Sequence, residues 1–296
     1  MDMSKAIQML SYNLKKPKTF EDQIELLKTR GVIINSDEEE AAKNYLKRVN
    51  YYYFTGYLLK YKNPDETYSP VEFKKIKDTI LFDSKLKNLL LYCLENIEKS
   101  LKTNIAYYFA HNYEVGNIAY KYPSYFKDPQ KHRILLEKID ENIEKNKELP
   151  YIKHNLDKYG ELPIWVCIEV FTLGNLEHFY QLIERNIQNK IASVYSIPFN
   201  KLEKWLYSLR YLRNLVAHSQ RIYGAILKTP VKPKGVTYQS DRIFDYILVI
   251  KELYLDSDDW NEYVVKSLSN LLDSYGSKIE LESIGFPSDW ENYISK

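Results

Sequence analysis

The spacing of hydrophobic residues predicts helices along most of this chain. Between residues 79 and 113, apolar residues recur at steps of three and four, the period of an α-helix that buries one face. Eight positions form this stripe: Leu86, Leu89, Leu90, Leu94, Ile97, Leu101, Ile105 and Phe109. The charged residues between 85 and 102, Lys87 among them, are placed on the other sides. We therefore expect one long helix that packs through a single face.

Start and stop signals predict further helices. Residues 19–30 are expected to form a helix with Thr19 as N-cap and Gly31 as C-cap. Ser36 is expected to start a helix that ends near Asn50. Gly174 lies inside a predicted helix, where it either permits close helix packing or marks a break. Other helices are expected from near Val71, at 130–147, 164–184, 205–224, 241–253 and 259–275, with a loop at 225–240.

These elements predict an all-α fold, because strand candidates are weak. We expect a helical bundle in one body. It would consist of an N-terminal helical extension over residues 1–78 and a helical domain with additional C-terminal helices over residues 79–296.

Cysteine usage and hydropathy narrow the class of protein. Cys93 and Cys167 lie in apolar stretches without a CxxC motif, which argues against a zinc site and for buried, reduced thiols. No apolar run approaches 18 residues, and the first ten residues lack the layout of a signal peptide. We expect a soluble cytoplasmic protein without a membrane segment, a metal or a cofactor.

Charge is unevenly distributed, although the formal net charge is only +2. No acidic residue occurs from Lys204 to Ser240, whereas twelve acidic and only five basic residues follow from Asp241 to Lys296. Residues 41–64 also lack acids and interleave bases with aromatic rings. Two such segments are typical of a polyanion-binding surface. For 41–64 the alternative is a solvated helix face with a tyrosine-rich core side.

The predicted helix over 205–224 carries basic residues and a histidine on a polar face. At 100° per residue, its apolar stripe must face a core. The stripe consists of Trp205, Leu209, Leu212 and Val216, and the polar face of Arg210, Asn214, His218 and Arg221 with Arg213 beside it. The alternative is a helix C-terminus at which His218 caps carbonyl groups and the arginines are solvated.

An arginine, an amide and a histidine at this spacing are sufficient to cleave RNA without a metal. The 2′-hydroxyl attacks the adjacent phosphorus while one group takes its proton and another protonates the leaving 5′-oxygen. His218 can serve in either proton-transfer role near neutral pH, and Arg213 offers a planar fork to the phosphate oxygens. Asn214 would orient the imidazole or bind a phosphate oxygen. We predict Arg213, Asn214 and His218 as catalytic residues.

We also predict residues that hold the RNA. They come from the two basic segments, which combine cations for the phosphates with rings for the bases. This set is Arg210, Arg221, Lys204, Lys228, Lys43, Lys47, Arg48, Tyr51 and Tyr52.

Four ordered blocks, at residues 19–61, 82–110, 162–180 and 210–224, resemble the Abi-like (AbiD/AbiF-type) abortive-infection proteins of bacterial phage defence. The family motif falls on Arg213, Asn214 and His218, followed by Arg221. The resemblance implies a HEPN-type helical fold and metal-independent endoribonuclease activity. It also implies a growth-arresting effector, in some members neutralised by a small noncoding RNA. This chain has Ser219 where many members have a second histidine.

HEPN ribonucleases generally pair two motifs across an interface, and this chain contains only one Arg-x-x-x-x-His motif. We therefore expect a homodimer with a composite site. The alternative is a non-catalytic RNA-binding or scaffold protein that holds a structured small RNA. Glu169, flanked by apolar residues, is expected to be buried and paired with Arg210 or Arg213, and His178 is expected to pack or cap.

Overall fold

The computed structural model describes residues 15–234 and 240–296, and these residues are predominantly helical. The all-α class predicted from hydrophobic spacing is therefore confirmed. The expectation for the first ten residues, and the part of the predicted loop at 235–239, lie outside the described residues. The chain divides into two compact units, Met1–Leu81 and Phe82–Lys296.

The described part of the first unit, from residue 15, contains three short helices: α1 (Phe20–Thr29), α2 (Glu39–Leu46) and α3 (Tyr51–Gly56). Thr19 caps α1 as predicted, in a reciprocal capping box with Asp22. Ser36 does not cap α2, whose N-cap is Glu38 without a side-chain hydrogen bond. The helix predicted to run to Asn50 is interrupted, because Asn50 caps α3 through its side chain.

A parallel pair of two-residue strands, β1 (Val32–Ile33) and β2 (Val71–Glu72), completes the first unit. Gly31 precedes β1 with φ of +103°, and a Cβ there would lie 2.3 Å from the carbonyl oxygen of Tyr68. Only glycine fits this position, as expected for the residue that ends α1.

Helix α4 (Phe73–Ala110) runs for 38 residues, and most of it belongs to the second unit. The predicted stripe is confirmed, since every position in it except the half-buried Leu89 is buried. The placement of Lys87 on a solvent side is wrong, because Lys87 is 3% exposed. Cys93 and Cys167 are buried free thiols as predicted, and burial raises the pKa of each to about 12.

Ten further helical segments complete the second unit. They are α5 (Pro129–Asn146), α6 (Pro150–Tyr159), α7 (Ile164–Cys167), α8 (Leu173–Leu182), α9 (Arg185–Val194), α10 (Phe199–Ala217), α11 (Ile243–Leu253), α12 (Ser257–Asp259), α13 (Lys266–Tyr275) and α14 (Glu291–Ile294). A π-helical segment, Trp260–Val265, joins α12 to α13, and 3₁₀ turns occur at 59–61, 119–121, 123–125, 168–170 and 281–284.

The predicted helix over 164–184 is broken, and Gly174 is not the cause. A 3₁₀ turn follows α7, and Thr172 then starts α8 with a capping box to Asn175. Gly174 lies in the first turn of α8, where a Cβ would be 3.3 Å from Cδ of Arg210. Its small size lets α8 approach α10, which is the close packing named as one of the two alternatives.

Helix α11 forms the centre of the second unit. All residues from Ile243 to Ile250 are buried, including the carboxylate of Asp245. That carboxylate accepts the backbone N–H groups of Ser240 and Asp241 at 2.9 and 2.8 Å. A helix that is apolar on all sides is a core helix. None of the described helices is both long and apolar enough to cross a lipid bilayer.

Candidate functional site

Helix α10 presents the predicted motif, and its apolar stripe anchors it. Trp205, Leu209, Leu212 and Val216 are all buried, as expected from their spacing. The helix packs against α8 and α9. The polar residues at the end of α10 are therefore carried on a rigid, well-packed element.

The helix ends earlier than predicted, at Ala217, in a Schellman motif. The N–H of Gln220 donates to the carbonyl of Leu215 at 2.9 Å, and that of Ser219 to Val216 at 3.1 Å. Ser219 adopts φ of +53°, the left-handed conformation that this motif requires and that most non-glycine residues avoid. The turn reverses the chain after His218.

Arg221 therefore does not share a helical face with His218, which corrects the prediction. It lies in the loop after the Schellman turn. Its Nη1 donates a hydrogen bond to the carbonyl of Tyr223 at 3.2 Å. A local backbone contact thus uses part of its donor capacity.

A buried ion pair on α4 holds the turn in place. Nζ of Lys87 lies 3.1 Å from the carboxylate of Asp83, and both side chains are buried. The same ammonium donates to the carbonyl oxygens of Ser219 and Gln220 at 3.2 and 3.3 Å. Asp83 in turn accepts the backbone N–H of Tyr223 at 2.8 Å. The residues immediately after His218 are thus fixed from both sides.

Arg213, Asn214 and His218 are exposed at this helix end. Among the described residues, none forms a side-chain hydrogen bond or ion pair with any of the three. Backbone N–H groups of the Schellman turn bind the carbonyls of Leu215 and Val216 instead. Lys87 binds the carbonyls of Ser219 and Gln220, which follow the helix. The alternative is correct in that the helix ends at His218 and Arg213 is exposed, but backbone N–H groups bind the carbonyls and the His218 side chain does not.

Arg210 is used differently from the prediction. Its Nε lies 3.1 Å from Oε2 of Glu177 on α8, a carboxylate that is 1% exposed. Oε1 of Glu177 accepts a hydrogen bond from Gln181 at 2.6 Å. Oε2 accepts no hydrogen bond from any described residue, so the contact with Arg210 is an ion pair of imperfect alignment. The prediction that Glu169 would be the buried partner is wrong, because Glu169 is exposed.

The environment of Glu177 raises the pKa of its carboxyl group. Burial raises the pKa of this carboxyl above its ordinary 4.5, and the positive charge on His178 and Arg210 offsets the rise only in part. His178 lies beside it, with Nε2 at 3.8 Å from Oε2. Arg210 is only about one-third exposed, so it reaches solvent over part of its guanidinium.

The remaining predicted RNA-binding residues are distributed over both units. Lys204 and Lys228 of the second unit are exposed. In the first unit, Arg48 and Tyr52 are exposed, while Lys43 is half-buried and paired with Glu21 and Glu40. Lys47 donates to the Asn44 side chain, and Tyr51 is half-buried.

Several aromatic rings of segment 41–64 are core residues. Phe54 stacks on Phe73 with ring centroids 4.5 Å apart, and Tyr45 packs edge-on against both rings. The tyrosine-rich core side that was the alternative for this segment therefore accounts for Tyr45, Phe54 and Tyr57.

Sequence reasoning missed Asp83, Lys87 and Glu177. Asp83 and Lys87 fall four residues apart within the apolar stripe of α4, so their position on the buried side was a usable signal. Glu177 had no comparable signal, because its burial depends on how α8 meets α10. The described residues contain no group of three or more His, Cys, Asp or Glu side chains placed to hold a metal ion.

Comparison with known families agrees with the residues described above. The family model described as Abi-like protein matches residues 44–224, which is more than half of the chain. This chain belongs to the Abi-like protein family. Its membership supports a role in abortive infection, the bacterial defence against phage. No curated protein and no solved structure matches the chain.

The Abi-like match includes α4, α8 and α10, and it ends at Gly224. The elements that position the exposed motif are therefore part of the family region. The C-terminal helices lie outside it. Residues 19–43, included in the resemblance drawn from the sequence, lie outside the match.

We expect the buried ion pair on α4 to contribute strongly to stability. Lys87→Ala leaves the Asp83 carboxylate buried without its cation, which lowers the free energy of unfolding by about 3–5 kcal/mol. Urea unfolding followed by circular dichroism measures this change. Lys99→Ala is the matched control, since Lys99 forms an exposed pair with Glu95 at the same four-residue spacing on the same helix. Equal stability of the two variants would contradict the assignment.

We expect Glu177 to make stability depend on pH. Because the folded protein holds the Glu177 proton more tightly than the unfolded chain, this group stabilises most below pH 4.5 and loses that contribution as the pH rises above it. Glu177→Gln removes this dependence. The unfolding free energy of the wild type minus that of the variant should fall as the pH rises above 4.5. Glu169→Gln is the control for loss of an exposed carboxylate. If the wild-type unfolding free energy minus that of Glu177→Gln stays constant or rises with pH, the predicted direction of the pKa shift is wrong.

Proposed function

We propose that this Abi-like protein is a metal-independent endoribonuclease that arrests growth during abortive infection. One observation carries the proposal. Arg213, Asn214 and His218 project from the end of α10, and the described residues engage none of these side chains. Backbone N–H groups bind the carbonyls of Asn214, Leu215 and Val216 at this helix end, so the three side chains are available to a ligand.

The chemistry assigns a role to each residue. His218 takes the proton of the RNA 2′-hydroxyl or donates one to the leaving 5′-oxygen. Arg213 binds the phosphate oxygens and stabilises the negative charge that develops on the pentacoordinate phosphorus. Asn214, one residue after Arg213, orients the imidazole or binds a phosphate oxygen. The products would carry a 2′,3′-cyclic phosphate and a 5′-hydroxyl.

A single histidine cannot be base and acid in the same step without help. A second copy of the chain would supply the other His218, so the proposed active form is a homodimer with two motifs facing each other. The full exposure of the motif on one subunit supports this arrangement. A small noncoding RNA that covers this face would neutralise the toxin.

The direct test is cleavage of RNA by purified protein in EDTA. We expect wild-type protein to leave 2′,3′-cyclic phosphate ends, detected by mass spectrometry. His218→Ala and Arg213→Ala should each lower the initial rate by about 10²- to 10⁴-fold, because each removes a proton carrier or a charge from the transition state. Growth arrest on induced expression should require His218.

His111→Ala is the matched control, since His111 is also exposed but packs on Tyr107 at the other end of α4. It should cleave RNA at the wild-type rate. Cleavage that survives both motif substitutions would refute the site. A protein that carries a defined small RNA but never cleaves or arrests growth would establish the alternative, a non-catalytic RNA-binding scaffold.

A further inference from the structure

A second polar groove lies between α4, which is inside the family match, and the C-terminal helices, which are outside it. It encloses about 420 Å³. Its walls come from one face of α4 and from the π-helical segment together with α13. The lining residues are Lys85, Asn88, Leu89, Tyr263, Ser267, Asn270, Leu271, Ser274 and Tyr275.

The C-terminal wall is one continuous helical face. Its residues recur at steps of three and four from 263 to 275, so they align along the groove. A tyrosine stands at each end, and the two lie about 18 Å apart at the usual rise of a helix. Tyr263 belongs to the π-helical segment Trp260–Val265, a rare conformation that frequently occurs at functional sites.

The two tyrosine rings differ in how far they are available at the surface of the groove. Tyr263 is 48% exposed, and its ring packs edge-on against Tyr92 with centroids 4.7 Å apart. Tyr275 is half-buried, with Nζ of Lys85 at 5.7 Å and Nζ of Lys278 at 5.3 Å from its ring centroid. The Tyr263 end of the groove thus offers a partly exposed ring. The other end carries two cations over the Tyr275 ring, which also packs against Phe82 with centroids 5.9 Å apart.

The charge of the lining is unusual for this part of the chain. Residues 241–296 contain twelve acids and five bases, yet the groove lining includes Lys85 and no carboxylate. Its polar groups are two amides, Asn88 and Asn270, and the hydroxyls of Ser267 and Ser274. A groove for a peptide helix would be mainly apolar, whereas this groove has only Leu89 and Leu271 as an apolar floor.

We propose that this groove binds single-stranded RNA. A base stacks on Tyr263, the amides and hydroxyls bond to base edges, and Lys85 at the Tyr275 end contacts phosphate, which is how sequence-tolerant single-strand sites work. This assignment rests on the proposed function in one respect, the choice of RNA as the nucleic acid that the groove binds. It gives the C-terminal helices a role in binding RNA, and this role is separate from cleavage by the motif on α10.

The test measures binding without cleavage, in the full chain carrying His218→Ala. A fluorescein-labelled single-stranded RNA of mixed sequence is titrated by anisotropy. Adding Tyr263→Ala should raise Kd by about 5- to 100-fold, and Tyr263→Trp should retain the affinity because stacking is retained. Adding Lys85→Ala should also weaken binding and reduce the slope of log Kd against log salt by about one.

Matched controls come from helix α4, which also carries Lys85. Tyr107→Ala removes a similarly exposed ring, and Lys99→Ala a similarly exposed cation, but neither residue lines the groove. Both should bind RNA like the His218→Ala parent. A 4-thiouridine-containing RNA should crosslink to the segment 263–275 on irradiation.

The inference is overturned if Tyr263→Ala and Lys85→Ala bind RNA as tightly as the controls, or if the crosslink maps elsewhere. Equal affinity for DNA of the same sequence supports a single-strand site that does not read the 2′-hydroxyl. The proposed function fails separately: a chain that never cleaves RNA can still bind it in this groove. Conversely, a chain that cleaves RNA while its groove variants bind normally retains its function and loses this site.

Discussion

The buried ion pair between Asp83 and Lys87 determines where the end of the motif helix lies. Taking two charges out of water is costly, and their mutual attraction offsets that cost only when the remaining donors and acceptors are also satisfied. Here the extra partners are backbone groups of the segment 219–223. The pair and the turn therefore depend on each other, and the long helix α4 carries both charges on one rigid element.

This arrangement separates structural roles from chemical ones. The Schellman turn binds carbonyls at the end of α10, and Lys87 binds the carbonyls of Ser219 and Gln220 that follow it. Glu177 engages Arg210 one turn before the motif. Arg213, Asn214 and His218 are left without a structural role among the described residues. The backbone that carries these side chains is fixed by packing, as a preorganised site requires, and the side chains themselves are exposed. By the same reasoning, Arg210 supports the packing of α10 through its ion pair with Glu177, a role other than the RNA contact predicted for it.

Periodicity was sufficient to predict the helices but not their ends. The stripes of α4 and α10 follow from a period of 3.6 residues, and the structure confirms both. The end of α10 depends on Ser219 adopting a left-handed conformation, which serine rarely does, so no rule based on residue type would place it there. Helix α11 was predicted only as a helix over 241–253, whereas its buried residues on all sides place it in the core. Its sequence, IFDYILVIKEL, carried that signal.

The partners of the site residues were harder to predict than the residues themselves. The motif was visible because its residues are close in sequence. The Lys87 contacts join residues 132 and 133 positions apart, and the Glu177–Arg210 pair joins α8 to α10. Such contacts are set by packing, and Glu169 was chosen wrongly because flanking apolar residues in sequence do not report burial in a broken helix.

The most direct measurement compares cleavage and stability in the double variant Asp83→Leu/Lys87→Met. Replacing a buried ion pair by apolar residues of similar size generally preserves stability. The double variant cannot bind the carbonyls of Ser219 and Gln220, so the turn after His218 is released. The account predicts urea unfolding close to that of wild type and an initial rate of RNA cleavage lowered by about 10- to 100-fold. Wild-type cleavage in a stable double variant would contradict it.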